Sequence, residues 1–232
     1  MGEFFYSQPQ KEVFQSGKKG RKYIKEAEMY QRYIKRLIDI VLTTVGILIA
    51  VIPMIIVAII TKIDSPGPAI FKQKRIGIHK EFFNIWKFRS MPISVNPDLP
   101  THLMKEKMML SPWQRFLRKS SLDELPQLFC IWIGKMSIVG PRPALWNQDD
   151  LIAERDKYGA NNIKPGLTGW AQINGRDELE IPVKAKLDGE YTLKLMNGGW
   201  KAFAMDCSCF FGSILPVLRH DGIAEASDHT KG

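Results

Sequence analysis

The chain has 232 residues, a net charge of +9 and 45% apolar residues, enough for one membrane-embedded element and one folded domain of ordinary size. Its three cysteines, Cys130, Cys207 and Cys209, form no C-x-x-C pair, which argues against a disulfide framework or a zinc site and for reduced thiols in a cytoplasmic domain. The excess of Lys and Arg admits nucleic acid, anionic lipid or phosphorylated substrates as partners, and the positions of the charges have to choose among them.

Residues 1–30 read as a poorly ordered basic tail. Lys18, Lys19, Arg21, Lys22 and Lys25 lead directly into an apolar run, where each gains about 1 kcal/mol from anionic headgroups, so lipid is the better partner for this charge. The run, residues 37–61, holds Asp39 as its only charged residue and is long enough to cross a hydrocarbon core of roughly 30 Å. It starts far from Met1 and lacks a small-residue cleavage site, so a cleaved signal peptide is not expected.

Length alone favours a spanning helix. Two details favour a helix that enters, bends and returns. Lys25, Arg32, Lys35 and Arg36 precede the run and Lys62, Lys72, Lys74 and Arg75 follow it, so the positive-inside rule names no outer end. Pro53, deep inside, has no N–H for the carbonyl of Ile49, and a kink is expected there. A kinked spanning helix satisfies the same observations, because spanning helices tolerate proline.

Downstream, residues 64–68 form a turn and residues 69–73 and 81–87 read as the strands of a basic hairpin. Residues 96–103 read as a loop, and Trp113, Phe116 and Leu117 follow helical spacing after Pro112. Helices are predicted over 126–133, 144–158 and from Pro182 to about Lys194, with a Gly-rich shaped loop over 160–176. The stretch 200–218 is almost wholly apolar; its aromatics either rest in the headgroup layer or pack under the domain.

Ser121-Leu122-Asp123-Glu124 has the form of a helix capping box, which is the usual meaning of an isolated S-x-x-E. Pro126 points another way: a helix starting there leaves Asp123 and Glu124 just ahead of its open N–H groups, where an Asp stays ionised and able to attack phosphorus. Two anions react only when screened. Arg118, Lys87, Arg89 and Arg142, the last on the stiff Gly140-Pro-Arg-Pro143 turn, supply the cations. A Mg2+ ion bound through a carboxylate and phosphate oxygens completes the neutralisation. No Walker A run, H-E-x-x-H or G-x-S-x-G is present, and the four His are scattered.

Five motifs in order, Lys35-Arg-Leu-Ile-Asp39, Lys87-Phe-Arg89, Ser121-Leu-Asp-Glu-Leu-Pro-Gln127, Val139-Gly-Pro-Arg-Pro143 and Pro165-Gly-Leu-Thr-Gly-Trp-Ala-Gln-Ile-Asn-Gly-Arg176, resemble the small monotopic phosphoglycosyl transferases, or bacterial sugar transferases, over residues 33–222. The resemblance implies an α+β, mainly helical fold. Its parts are a Pro-broken re-entrant helix at 31–63, a cytoplasmic catalytic domain at 64–222 and a tail at 223–232.

It also implies transfer of a sugar-1-phosphate from a UDP-sugar to undecaprenyl phosphate at the inner membrane, with Mg2+, as the first membrane step of a surface glycan. Asp123 is then the nucleophile that releases UMP, with Glu124 beside it at the metal or in proton handling. Arg118, Arg142 and Lys87 match phosphate-handling positions, Arg89 and Arg176 lie in matching motifs, and Asp188 and Asp206 fall at acidic ones. The chain departs from the family at Ile52, where Ser usually precedes the proline, at Lys135 in place of Asp, at Cys130 in place of Asn, and over residues 195–200.

A membrane-tethered scaffold and a nucleic-acid-binding membrane protein are the competing readings. The second lacks an interleaved aromatic platform, and no nucleic acid partner is expected. Neither the sugar nor the choice between a monomer and a homo-oligomer is legible.

Overall fold

In the computed structural model, residues 26–93, 110–175 and 179–218 are described, with side chains in the last helix described as far as residue 214. Residues 1–25 and 223–232 of the expected tails, the whole 96–103 loop and Arg176 lie outside those residues; residues 26–30, expected as tail, are helical, with Ala27 and Tyr30 buried. The described chain is mostly helical, with four short strands in two two-stranded sheets.

Helix α1, Lys35–Asp64, follows a π turn at Tyr30–Ile34 and continues through Pro53. Its buried positions, Asp39, Thr43, Ala50, Met54, Val57 and Thr61, recur at helical spacing and make one stripe. The large aliphatics Leu48, Ile49, Ile52, Ile55 and Ile59 face outward. Polar residues near both ends and the apolar Ala50, Met54 and Val57 between them therefore meet the domain, while a long aliphatic surface is left uncovered, unlike the polar outer face of a water-soluble amphipathic helix.

The same domain grips α1 at both ends. Near the start, Arg36 donates to the carbonyls of Ile131 and Trp132 at 2.7 and 2.6 Å. Asp39 accepts from the Ser137 hydroxyl at 3.1 Å and the Ile138 N–H at 3.0 Å. Near the finish, the Trp113 indole donates to Thr61 at 3.1 Å and Ser111 to Asp64 at 2.9 Å. Between them Ala50, Met54 and Val57 pack against Phe88 and Leu117.

Strands β1, Ile70–Ile76, and β2, Phe82–Phe88, pair antiparallel from Ile70 opposite Phe88 to Ile76 opposite Phe82. They are the predicted hairpin, with β1 running three residues further and β2 shifted by one. Helix α2, Pro112–Ser120, is capped by Ser111 and Gln114, which satisfy each other's backbone N–H groups. The capping box thus stands at 111–114. At Ser121–Glu124 no side-chain cap forms, and Ser121 is instead the left-handed residue (φ 56°) that ends α2. A 3-10 turn, Leu122–Glu124, follows, then α3, Gln127–Trp132, behind Pro126.

Strand β3, Ser137–Val139, pairs parallel with β4, Gly166–Thr168. The pairing continues past the strand ends: the Gly140 N–H donates to Thr168 at 2.8 Å and the Gly166 N–H to Pro141 at 2.9 Å. A Cβ on Gly140 would lie 2.5 Å from the Lys164 carbonyl, so only glycine allows the approach that fixes the 140–142 turn.

The helix predicted from 144 begins later, as α4, Asp149–Asp156. The preceding residues are held extended at the hairpin edge: the Ile76 N–H donates to Ala144 at 2.9 Å, and Leu145 bridges to Arg75. The loop over 160–176 contains a 3-10 turn, Ala160–Asn162, β4 and a short helix α5, Trp170–Ile173. Helices α6, Ile181–Met196, and α7, Gly199–Leu218, close a core of Val139, Ile163, Tyr191, Leu195, Met205 and Cys209.

Candidate active site

Three elements distant in sequence meet at the acidic pair. The 3-10 turn carries Asp123 and Glu124, the end of β2 carries Lys87, and the turn after β3 carries Arg142. Glu124 Oε1 accepts from Lys87 Nζ at 2.8 Å and from Arg142 Nη2 at 2.6 Å. Burial pushes the Glu124 carboxyl upward, but Arg142 and Lys87 outweigh it and hold the group well below the usual carboxylate range. Glu124 is therefore a fixed anion that bridges two cations.

Asp123 lies in a different field. It is buried, and the Ser90 hydroxyl donates to its Oδ2 at 2.9 Å. Burial raises its pKa; Lys87 opposes this, Glu124 adds to it, and the Ser90 hydrogen bond and Arg118 oppose it. The net shift is upward. Oδ1 accepts no hydrogen bond from the described residues, so one oxygen is anchored and the other is left for a ligand.

Arg118, in the last turn of α2, is half-buried and acts on Asp123 through its charge. Lys87 and Arg142 thus bind the pair directly through Glu124, and Arg118 adds positive charge without a hydrogen bond to it among the described residues. The open N–H groups of α3 are not Asp123's partner; the Ser90 hydroxyl is.

The other candidates sit apart from this cluster. Arg89, two residues beyond Lys87, turns to the end of α1, where its guanidinium donates to the carbonyls of Pro66, Ser65 and Thr61 at 2.5, 2.7 and 3.3 Å. It closes the last turn of that helix. Asp188 faces Arg155 at 2.7 Å, both almost fully enclosed between α4 and α6. Burial raises its pKa against the pull of Arg155. Asp206 on α7 accepts from Lys35 at 2.5 Å, Tyr30 at 2.8 Å and Tyr191 at 2.7 Å, tying the start of α1 to α6 and α7. Tyr191 also donates to Val139, the residue that opens the turn carrying Arg142.

Sequence reasoning passed over Ser90. Its only signal was a small hydroxyl residue directly after a basic strand. The donor set suits a hard divalent cation: Glu124 Oε2, which accepts no hydrogen bond from the described residues, and the adjacent Asp123 carboxylate offer hard oxygens and leave further positions to phosphate. Among the described residues no group of three or more His, Cys, Asp and Glu gathers into an all-protein metal cage, and Mg2+ ordinarily needs none.

Comparison with known proteins adds a second line. The profile described as "Bacterial sugar transferase" matches residues 30–220. A UDP-glucose:undecaprenyl-phosphate glucose-1-phosphate transferase of Escherichia coli (strain K12) is 38% identical over 175 residues, covering 72% of this chain and 36% of that protein. An undecaprenyl-phosphate galactose phosphotransferase of Salmonella typhimurium is 32% identical over 211 residues, covering 84% and 43%. An uncharacterized sugar transferase of Bacillus subtilis, EpsL, is 32% identical over 197 residues, covering 85% and 93%. The chain thus spans well under half of the first two relatives and nearly all of the third.

Proposed function

The chain belongs to the bacterial sugar transferase family, and on that premise we propose that it transfers a sugar-1-phosphate from a UDP-sugar to undecaprenyl phosphate, giving undecaprenyl-diphospho-sugar and UMP. The observation that carries the reading is the division of labour in the acidic pair, one carboxylate pinned by two cations and the other with a free oxygen. Asp123 Oδ1 attacks the phosphorus that bears the sugar. The P–O bond to the uridine phosphate breaks, and UMP leaves with the electron pair. An oxygen of the lipid phosphate then attacks the same phosphorus and returns the aspartate to its carboxylate form.

Lys87 and Arg142 hold Glu124 and lie where the transferred phosphoryl group needs positive charge; Arg142 is 39% exposed and keeps access to a ligand. Arg118 lowers the barrier to bringing an anion to Asp123. Asp123 and Glu124 are the residues that would hold Mg2+, which when bound neutralises phosphate charge.

The proposed membrane arrangement rests on α1. Polar residues at both of its ends bind one and the same domain, and the middle packs against that domain too. A spanning helix would place one end some 30 Å away across the bilayer. Contact with one domain along its whole length supports a re-entrant helix with lipid against the uncovered aliphatics, and the basic residues flanking both of its ends support a catalytic domain on the cytoplasmic face of the inner membrane. The step opens assembly of a surface polysaccharide or other glycoconjugate.

The test is donor alone followed by donor plus acceptor. Full-length protein in detergent with Mg2+ and a panel including UDP-glucose and UDP-galactose should release UMP and gain the mass of one phosphosugar at Asp123. Addition of undecaprenyl phosphate should discharge it. Product formation without any adduct at Asp123 would rule out the covalent route, and no UMP from any donor would favour the scaffold reading.

A further inference from the structure

A second group of cations gathers at the opposite end of α1 from Thr61. A cavity of about 550 Å³ opens beside the start of that helix, with Arg32, Lys35, Arg36, Asp39, Ile78 and Lys164 in its lining. Most of its charges are already matched. Lys35 is paired with Asp206, Arg36 is taken by two carbonyls, and Asp39 accepts from Ser137 and Ile138. The remaining acid, Glu28, is exposed on the rim.

Lys164 has no such match. It is half-buried and makes no hydrogen bond or ion pair with any described residue. Burial, then Arg36, and then Lys35 disfavour its charged form, with only Asp39 acting the other way. Arg32, exposed at the mouth, is engaged among the described residues only by the ring of Tyr33. A half-enclosed ammonium in a cationic surround, with a guanidinium at the opening, is short of one anion.

The surroundings indicate what kind of anion. Tyr33, Ile34 and Leu37, on the same turns of helix, are 62%, 43% and 62% exposed and begin the aliphatic surface that continues along α1. The cavity therefore lies where headgroups give way to acyl chains. It has room for a glycerophosphate headgroup, whose chains can run outward over those residues.

We propose that this cavity is a binding site for one anionic glycerophospholipid, its phosphodiester held between Lys164 and Arg32 and its chains on Tyr33, Ile34 and Leu37. The site is separate from the transfer chemistry. It is nevertheless coupled to it by chain path, because the Lys164 carbonyl packs on Gly140, two residues before Arg142. The same phosphate chemistry is offered by the polyprenyl phosphate acceptor, so the test has to separate the two sources.

Native mass spectrometry of the full chain in a neutral detergent, without sugar donor, reads the site directly. With phosphatidylglycerol and phosphatidylcholine at equal concentration, wild type should retain a single phosphatidylglycerol in preference. Lys164→Gln and Arg32→Gln should each lower that retention about fivefold, the worth of one basic group near an anionic headgroup. Lys164→Arg should keep it. Lys62→Gln, an exposed charge at the far end of α1, should change nothing, and a matching loss there would reduce the effect to general surface charge and overturn the site. Equal retention of both lipids also overturns it. Displacement of phosphatidylglycerol by equimolar undecaprenyl phosphate would give the pocket to the acceptor and end the glycerophospholipid assignment. None of these readouts depends on turnover, so the site and the transfer mechanism fail separately.

Discussion

Glu124 and Asp188 are both carboxylates closed on a guanidinium, at 2.6 and 2.7 Å, and the two pairs do different work. The side chains of Asp188 and Arg155 are 1% and 4% exposed, whereas Glu124 and Arg142 are 21% and 39% exposed. In the first pair each charge exists to satisfy the other, and no ligand reaches either. In the second, Glu124 gathers Lys87 and Arg142 from separate elements and presents them, still partly wet, beside Asp123. Accessibility, not the ion pair itself, separates a cation that can bind phosphate from one that only holds helices together.

The contrast is sharpest at Asp123. Asp123→Asn should lower UMP release by about 10³-fold or more, because the nucleophile is gone while the binding cations remain. Membrane association should be unchanged. The same substitution should raise thermal stability at neutral pH. The folded-state pKa of Asp123 is raised, mainly by burial, so the folded chain binds this proton more tightly than the unfolded one. That contribution is favourable at low pH and is lost as pH rises from the ordinary value near 3.8 through the raised one. An uncharged amide avoids the loss. A melting curve of Asp123→Asn that is lower than wild type at pH 7 would contradict this account.

At the closed pair the expected damage is to the fold. Arg155→Met leaves the Asp188 carboxylate buried without its partner, a loss of about 3–5 kcal/mol, or roughly 10 °C in melting temperature for a chain of this size. Activity per folded molecule should stay near wild type, and this is checked by normalising UMP release to the fraction of protein that resists thermal aggregation. A fall in kcat with no fall in melting temperature would instead bring Asp188 into the chemistry.

These two regions were unequally legible in the sequence. The 123–124 pair and its cations stood out because acids and bases lie in short motifs with few structural alternatives. The hairpin and α6 were legible from alternation and from a proline at the helix start. Ser90 was not, since a single serine after a strand carries no pattern, and its role exists only once the 3-10 turn packs on β2. Arg89 shows the converse failure: a strand places residues two apart on one face, but that rule lapses where β2 ends at Phe88, and Arg89 is free to turn back to α1. Nor could alternation show that Ala144 and Leu145 would be held against the hairpin edge, a tertiary contact that overrides local helix preference.

Between the extremes lies the anchor of the nucleophile. Ser90→Ala removes the one hydrogen bond that, among the described residues, orients the Asp123 carboxylate. A bond to a charged group is worth about 1.5–3 kcal/mol, so UMP release should fall by roughly 10- to 100-fold, with Ser90→Thr recovering most of it. The acid limb of the rate should also move to higher pH, because the Ser90 hydrogen bond lowers the Asp123 pKa and its loss leaves burial less opposed. An unshifted limb with a reduced rate would mean that Ser90 supports the fold and not the carboxylate.

The smallest effect is expected on α7, where Cys207 and Cys209 lie within one turn of Asp206. Cys209 is fully enclosed and its thiol is pushed up to about 12, first by burial and then by the Asp206 charge, so at pH 8 almost none of it is thiolate, the form that reacts. Cys207, two residues away and rotated to the other side of the helix, is half-buried. Iodoacetamide at pH 8 should therefore label Cys207 first and leave Cys209 untouched until the chain unfolds. Lys35→Met, which strips Asp206 of its cation, should loosen the packing of α7 and make Cys209 reactive before activity is lost. Equal labelling of the two cysteines in the untreated protein would mean that the Lys35–Asp206 region opens readily, and the distinction between a closed structural acid and an accessible working one would then fail at this end of the molecule.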